Sequence, residues 1–388
     1  MKKKLIKATS DYFERMFQKK PEALFLSPGR INLIGEHVDY NDGYVLPAAI
    51  NKYICFAVST TQDGTFTLVA KDLNDSYRGS LQQPVQKSDK MWANYVLGVL
   101  FQLQPKLPKN VGFQVVFSST IPMGAGLSSS AALECGFAYL LNDVFKLGLS
   151  KKELTLIGQQ SEHQFVGVQC GIMDQYASVF GKKNKVILLD CQQIEHSYHP
   201  AKFKDYGLLL LDSHVKHSHL TSGYNDRRQE VDTALKQLQK SYAHLSSYRE
   251  LTLTQLEEQK DQLDSVGYKR ARFVVEEIQR VQHAVEALGN GDIKRLGQEM
   301  YATHQGLSKD YEVSCPELDF LVEEAMQLSD VIGSRMMGGG FGGCSINLVK
   351  KTAMKEVISK LSESYKNRYG LELSAYQIKI SKGTHRVD

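Results

Sequence analysis

Cysteine and proline are both scarce in this 388-residue chain, with six and nine copies respectively. The cysteines (Cys55, Cys135, Cys170, Cys191, Cys315 and Cys344) lie at wide, irregular spacings with no C-x-x-C pair. That excludes a disulfide scaffold and a cysteine-built zinc site, and it predicts reduced, mostly buried thiols in a cytoplasmic protein. The formal net charge, +4, is small for the length, so neither a nucleic-acid nor a membrane partner is expected. No apolar run approaches the ~20 residues of a membrane span. The basic opening Met1-Lys-Lys-Lys-Leu-Ile meets Lys7, Asp11, Glu14 and Arg15 before a leader-like apolar core can form.

The common nucleotide-binding loops are missing too. No Gly-x-x-x-x-Gly-Lys-Ser/Thr occurs, which argues against a P-loop NTPase. Neither H-R-D nor D-F-G occurs, so the protein-kinase set fails. Gly338-Gly-Gly-Phe-Gly-Gly343 spells G-x-G-x-x-G, but Cys344–Val349 after it reads as a strand. The dinucleotide fingerprint needs a helix there.

What is present is a different glycine loop. Val111–Phe117 alternates like a half-buried strand, and Ser130–Asn142 has the Ala, Leu and Phe content of a helix. Between them runs Ile121-Pro-Met-Gly124-Ala125-Gly126-Leu127-Ser128-Ser129-Ser130. Its glycines let backbone N–H groups turn inward and its serines are expected to cap the helix, making a site for phosphate. An ordinary Gly/Ser loop that only caps a helix is the competing reading.

At this length two closely packed domains are expected. An amphipathic helix is predicted over 4–18. Strands follow at 53–60, 65–71, 111–117 and 185–190, with helices at 91–102, 130–142, 151–165 and 174–180. From 222 to 327 the pattern is helical and charge-rich, and strands return at 343–349 and 374–380 around a helix that aligns Met354, Val357, Ile358, Leu361 and Tyr365. The composition shift sets a division into 1–200 and 201–388. The class is α+β, with ligands in a cleft between the domains.

Several segments carry chemistry. Ser27-Pro-Gly-Arg30-Ile-Asn-Leu-Ile-Gly-Glu36-His37-Val38-Asp39-Tyr40 offers a guanidinium for a phosphate or carboxylate, and two acceptor carboxylates suited to hydroxyl groups. A solvated turn with a surface ion pair would read the same way. Cys170-Gly171-Ile-Met-Asp174-Gln-Tyr-Ala177 sets one carboxylate among small and apolar residues, where it is either paired, catalytic or a helix cap. Glu162 reads as a plain helical glutamate. His214, His217 and His219 match no zinc spacing, and Tyr224-Asn-Asp-Arg-Arg228 either lines a polar cleft or starts a surface helix.

Taken together, these segments resemble the GHMP family of small-molecule kinases, and within it the galactokinases. Three family motifs stand in order: Pro28–Tyr40, Pro122–Leu133 and Gly333–Cys344. Trp92-Ala-Asn-Tyr95, Gly171–Gln175, Val215–His217, Tyr224–Arg228 and Asp310–Glu317 extend the likeness over nearly the whole chain. Val38 departs from the usual threonine, removing one potential hydroxyl contact. The resemblance implies the GHMP fold and transfer of phosphate from MgATP to the anomeric hydroxyl of α-D-galactose. It implies that Asp174 is the catalytic base and that Arg30 supports it and the transferred phosphoryl group. Glu36, His37, Val38, Asp39, Gly171 and Tyr224 would form the sugar site. Gly124, Ala125, Gly126, Leu127, Ser128, Ser129 and Ser130 would wrap the ATP phosphates. Trp92 and Tyr95 would pack near the adenine, and Ser130 with Glu162 would hold Mg2+. Kinases for N-acetylgalactosamine or galacturonate, and a non-catalytic galactose sensor, are the alternatives. Such sensors lack a Ser-Ala pair of the loop, whereas Ser128-Ser-Ser-Ala-Ala132 is complete here.

Overall fold

The computed structural model describes residues 2–108, 110–216 and 220–387. The first part of the chain runs α1 (Lys2–Phe17), β1 (Ala23–Asn32), β2 (Tyr44–Val45), β3 (Pro47–Thr61), β4 (Thr65–Ala70), β5 (Asp75–Ser80), α2 (Met91–Leu103), β6 (Gly112–Ser119), α3 (Ser129–Val144), α4 (Lys151–Ser161), α5 (Met173–Phe180), β7 (Lys185–Asp190) and β8 (Glu195–Pro200). There follow β9 (Tyr206–Lys216), α6 (Leu220–Ser241), α7 (Leu253–Glu258), α8 (Ser265–Asn290), α9 (Ile293–Lys309), α10 (Pro316–Met326), β10 (Val331–Met336), β11 (Gly342–Lys350), α11 (Met354–Tyr369), β12 (Ser374–Ile378) and β13 (His385–Arg386).

β1 organises the first part because nine of its ten residues are buried. It lies in a six-stranded sheet of order β13-β1-β3-β6-β4-β5, with α3 and α5 packed on β1 and β3. A second sheet, β10-β11-β9-β12, carries the later strands, and β2-β7-β8 form a small third one. The parts share their cores. Leu208, Leu210 and Ile346 of the second sheet join the apolar cluster of the first, while Val38, Val45 and Ile172 sit in the cluster built around α8–α11. A site at the junction is therefore held from both sides.

The predicted helices match the observed ones closely except for 151–165. There the α-helix ends at Ser161 and Glu162–Val166 forms a π-turn, closed by Gly167 with φ +92°. β1 and β9 were not anticipated as strands. Both are buried on the two faces, so they lack the alternation that marks a half-buried strand. Among the described residues, no helix is long and apolar enough to cross a membrane.

Candidate active site

Pro28 has no N–H for the ladder, and the pairing of β1 with β3 shifts register between Pro28 and Arg30. Gly29 sits in this bulge, where a Cβ would come within 2.8 Å of the Leu127 carbonyl. The Arg30 N–H donates to that same carbonyl at 3.2 Å. The glycine loop is thereby seated on β1 beside the Arg30 side chain.

Arg30 is 4% exposed. It forks onto Asp174, Nε to Oδ1 at 2.6 Å and Nη2 to Oδ2 at 2.9 Å, while Nη1 donates to the Gly126 carbonyl at 2.5 Å. Burial opposes the guanidinium charge, and the Asp174 and Glu36 carboxylates outweigh it. Asp174 stands in the first turn of α5, whose cap position is Ile172. It is thus the partner of Arg30, not the helix cap. Ser128 also differs from expectation. It takes the left-handed conformation (φ +53°) ahead of α3 without capping it, and its hydroxyl donates to Asp174 Oδ2 instead. An N-cap residue takes extended backbone, so the left-handed turn at Ser128 withdraws its hydroxyl from the helix and leaves it to the carboxylate.

A cavity of about 330 Å³ opens in front of this pair. Glu36, His37, Asp39, Gly171, Tyr224, Tyr95, Ser130 and Glu162 are among the residues that line it. Gly171 is required where it stands, since a Cβ would fall 2.0 Å from Asp39 Oδ2. Burial, reinforced by Asp174, pushes the Asp39 carboxyl up to about 7, while burial pushes the His37 imidazole down to about 4. Of the residues assigned to the sugar, Val38 is not brought to this wall. It is fully buried in the apolar core, and a Cβ on Gly43 would meet its own Cβ at 2.8 Å. A hydroxyl at this position would face apolar side chains.

An adjoining apolar cavity of about 320 Å³ is lined by Ile54, Leu73, Trp92, Tyr95, Phe117, Ile121, Met123 and Leu133, with Ser129 and Ser130 at its edge. The Trp92 indole is oriented by Asp75, which accepts its N–H at 2.8 Å, and by the Phe117 ring at 5.7 Å. The turn Gly124–Ser128 joins Met123 to Ser129, both on the apolar cavity, and its Gly126 carbonyl is held by Arg30. Gly124 and Gly126 adopt φ of +75° and +70°, and Ala125 and Leu127 anchor their side chains in the core.

Two positioning residues escaped the sequence reading. Arg335 on β10 is fully buried. It donates to the Asn32 and Leu33 carbonyls and, through Nη1, to Glu36 Oε1 at 3.0 Å; the Gly338 N–H reaches the same oxygen at 2.9 Å. Glu277 on α8, also fully buried, accepts the Gly35 N–H at 2.8 Å and is held by Thr303 and Arg280. The reasoning that singled out Asp174, a lone charge in a small and apolar stretch, applies equally to Arg335 in Gly333-Ser-Arg-Met-Met. Glu277 gave no such signal within its charged helix. Of the histidine cluster, His214 lies within β9, two residues before its end, and meets Ser374 at 2.8 Å, while His217 and His219 lie outside the described residues.

This geometry coincides with three family models: a galactokinase galactose-binding signature over residues 11–60, the GHMP kinase N-terminal domain over 94–182, and the GHMP kinase C-terminal domain over 284–367. The galactokinase of Thermotoga maritima is 41% identical over 93% of this chain and 99% of its own. That of Clostridium acetobutylicum is 39% identical over 99% of this chain and 100% of its own. The crystal structure of Lactococcus lactis galactokinase complexed with galactose superposes with a TM-score of 0.94 at 34% identity, covering 98% and 99% of the two chains. A mevalonate kinase, at 19% identity and a TM-score of 0.61, shares the fold. With the three models falling in order along a chain matched from end to end, the protein belongs to the galactokinase family of GHMP kinases.

Proposed function

We propose that the protein transfers the terminal phosphoryl group of ATP to the anomeric hydroxyl of α-D-galactose, giving α-D-galactose 1-phosphate and ADP. The observation that carries this reading is the Arg30–Asp174 fork at the meeting point of the glycine turn and the acidic wall. Asp174 accepts the proton of the attacking hydroxyl, and Arg30 holds that carboxylate in place and offsets charge on the phosphoryl group in flight. Transfer is direct and in line, because phosphoryl transfer asks for positioning and charge neutralisation more than for a covalent intermediate. Glu36, His37, Asp39, Gly171 and Tyr224 hold the sugar. Several buried acceptors set against one ring reject an epimer, since a misplaced hydroxyl leaves an acceptor unpaired. Residues 124–130 wrap the phosphates, and the apolar cavity takes the adenine between Trp92 and Tyr95.

Ser130 and Glu162 fit a magnesium ion. Both supply oxygen donors on the cavity wall, and burial raises the Glu162 carboxyl to about 7, so that a neighbouring cation would favour its charged form. Among the described residues no cluster of three or more His, Cys, Asp or Glu could hold a metal. That suits Mg2+, which uses one or two carboxylates together with phosphates and water. When bound, the ion neutralises phosphate charge. We assign 1–200 to the domain that carries the glycine loop and the base, and 201–388 to the domain that carries the third glycine motif. A cytoplasmic location fits the six free thiols, five of which are buried.

ADP release with galactose, N-acetylgalactosamine, galacturonate or no sugar tests the reading. Release should depend on galactose and on added Mg2+, with the α-1-phosphate as product. No preference for galactose would overturn the substrate, and ATP turnover without product would overturn the activity. Trp92→Ala tests the nucleotide side. Losing one base-stacking ring should raise the KM for ATP about tenfold and leave that for galactose within about twofold. An unchanged ATP KM would remove the adenine from this cavity.

A further inference from the structure

The third glycine motif leads from β10 into β11, and five of the six residues 338–343 take positive φ. They are Gly338 (+87°), Gly340 (+82°), Phe341 (+56°), Gly342 (+129°) and Gly343 (+84°). Four of the five are glycine, which adopts that backbone without strain. The fifth carries a phenyl ring. An L side chain in this conformation crowds its own backbone, so the geometry alone would select glycine at 341 as well. A strained position that keeps a large side chain points to a use for that side chain.

The backbone here is seated on Val313. The Phe341 N–H donates to the Val313 carbonyl at 2.7 Å, and a Cβ on Gly340 would fall 2.0 Å from that oxygen. The Phe341 ring reaches the first turn of α6 and lies against Gly223. A Cβ on Gly223 would stand 2.8, 3.0 and 3.2 Å from its Cζ, Cε2 and Cε1 atoms. The next residue is Tyr224, on the cavity wall. Gly339 of the same motif lies against the Tyr224 ring, which also meets the His37 and Tyr40 rings at centroid distances of 5.3 and 5.4 Å. After Tyr224, polar bonds tie α6 to the fold. Asn225 and Arg228 hold the backbone of Gln169 at 3.2 and 2.6 Å, and Arg227 holds the Tyr311 carbonyl at 2.8 Å. Before Tyr224, the contact is the Phe341 ring.

We infer that Phe341 is a positioning residue for the sugar site: its ring, carried on a strained backbone, supports Gly223 and thereby sets Tyr224 against galactose. Phe341 itself does not line the cavity. The inference rests on the reading of Tyr224 as a sugar contact. It also accounts for Gly223. A helix favours alanine over glycine, but here no Cβ fits between the helix and the ring unless one of them moves.

Titration calorimetry of galactose on the full-length protein, without ATP, tests this. Phe341→Ala should raise the galactose Kd about fivefold, the worth of one neutral hydrogen bond, with the ATP KM within about twofold. Phe341→Leu keeps an apolar group at Gly223 and should hold the Kd within about twofold of wild type. The Phe341→Ala penalty should vanish in a Tyr224→Ala background, because the ring acts through that side chain. Gly223→Ala should also weaken galactose binding, and should do so less when Phe341→Ala has already removed the ring. Phe341→Gly should unfold at a higher denaturant concentration than Phe341→Ala, since both lack the ring and only glycine relaxes the backbone. Unchanged galactose affinity in Phe341→Ala, or a penalty that persists beside Tyr224→Ala, overturns the inference. So does an ATP KM that rises as much as the galactose Kd, which would mark a general loosening of the glycine motif. The opposite order of stability for Phe341→Gly and Phe341→Ala overturns the strain. Unchanged galactose affinity in Tyr224→Ala alone would instead remove the sugar contact beneath it.

Discussion

Asp174→Asn should lower kcat by about three orders of magnitude, the middle of the range for loss of a positioned proton acceptor. The argument starts from what the carboxylate touches. Its two oxygens accept two N–H groups of Arg30 and the hydroxyl of Ser128, and it lines the cavity together with Glu162. An amide keeps the volume and one acceptor oxygen, so the fold should survive. Its NH2 group, however, would face a guanidinium that can only donate, which misaligns Arg30 as well as deleting the base. Galactose affinity, measured by titration calorimetry without ATP, should change much less than turnover. Near wild-type ADP release in the folded variant would remove Asp174 from the chemistry.

The parts of this site that the sequence displayed are those in which one stretch of chain carries both the geometry and the chemistry. Gly124–Ser130 bounds its own turn between a strand and a helix, and Cys170–Ala177 sets a carboxylate in a small, apolar stretch that begins a helix. The less visible parts are pairings between distant segments. Glu36 is completed by Arg335, the Gly35 N–H by Glu277, and His37 by Tyr311, each some 240 to 300 positions away. β1 was hidden for a related reason. Its polar residues Ser27, Arg30 and Asn32 are buried because partners from the glycine turn, α5, β10 and the last residues of the chain satisfy some of their groups, or backbone beside them. Read locally, the segment looks like a solvated turn. Ser128 shows the limit of local rules in another way: a serine at a helix start caps the helix only when its backbone is extended, and Ser128 is left-handed.

The coupling of Arg335 to Glu36 gives the largest stability effect expected here. The two side chains are 0% and 2% exposed, 3.0 Å apart, and belong to β10 and the segment after β1. Arg335→Met fills a similar volume but strands the Glu36 carboxylate and leaves the Asn32 and Leu33 carbonyls without this donor. Removing one member of a buried pair costs about 3–5 kcal/mol, because the other charge stays in a low-dielectric setting uncompensated. Chemical denaturation should therefore show a loss of that size, and the galactose KM should rise because Gly338 N–H alone no longer fixes the carboxylate. Replacing both, Arg335→Met with Glu36→Gln, removes the stranded charge and should recover most of the stability. It should not recover galactose affinity, since an amide at position 36 cannot accept from a hydroxyl as a carboxylate does. This separation of stability from affinity distinguishes a positioning pair from a merely structural one. If Arg335→Met lost less than about 1 kcal/mol, the pair would be no more than a surface-strength contact. If the double variant regained galactose affinity along with stability, Glu36 would be holding the two sheets together and not the sugar.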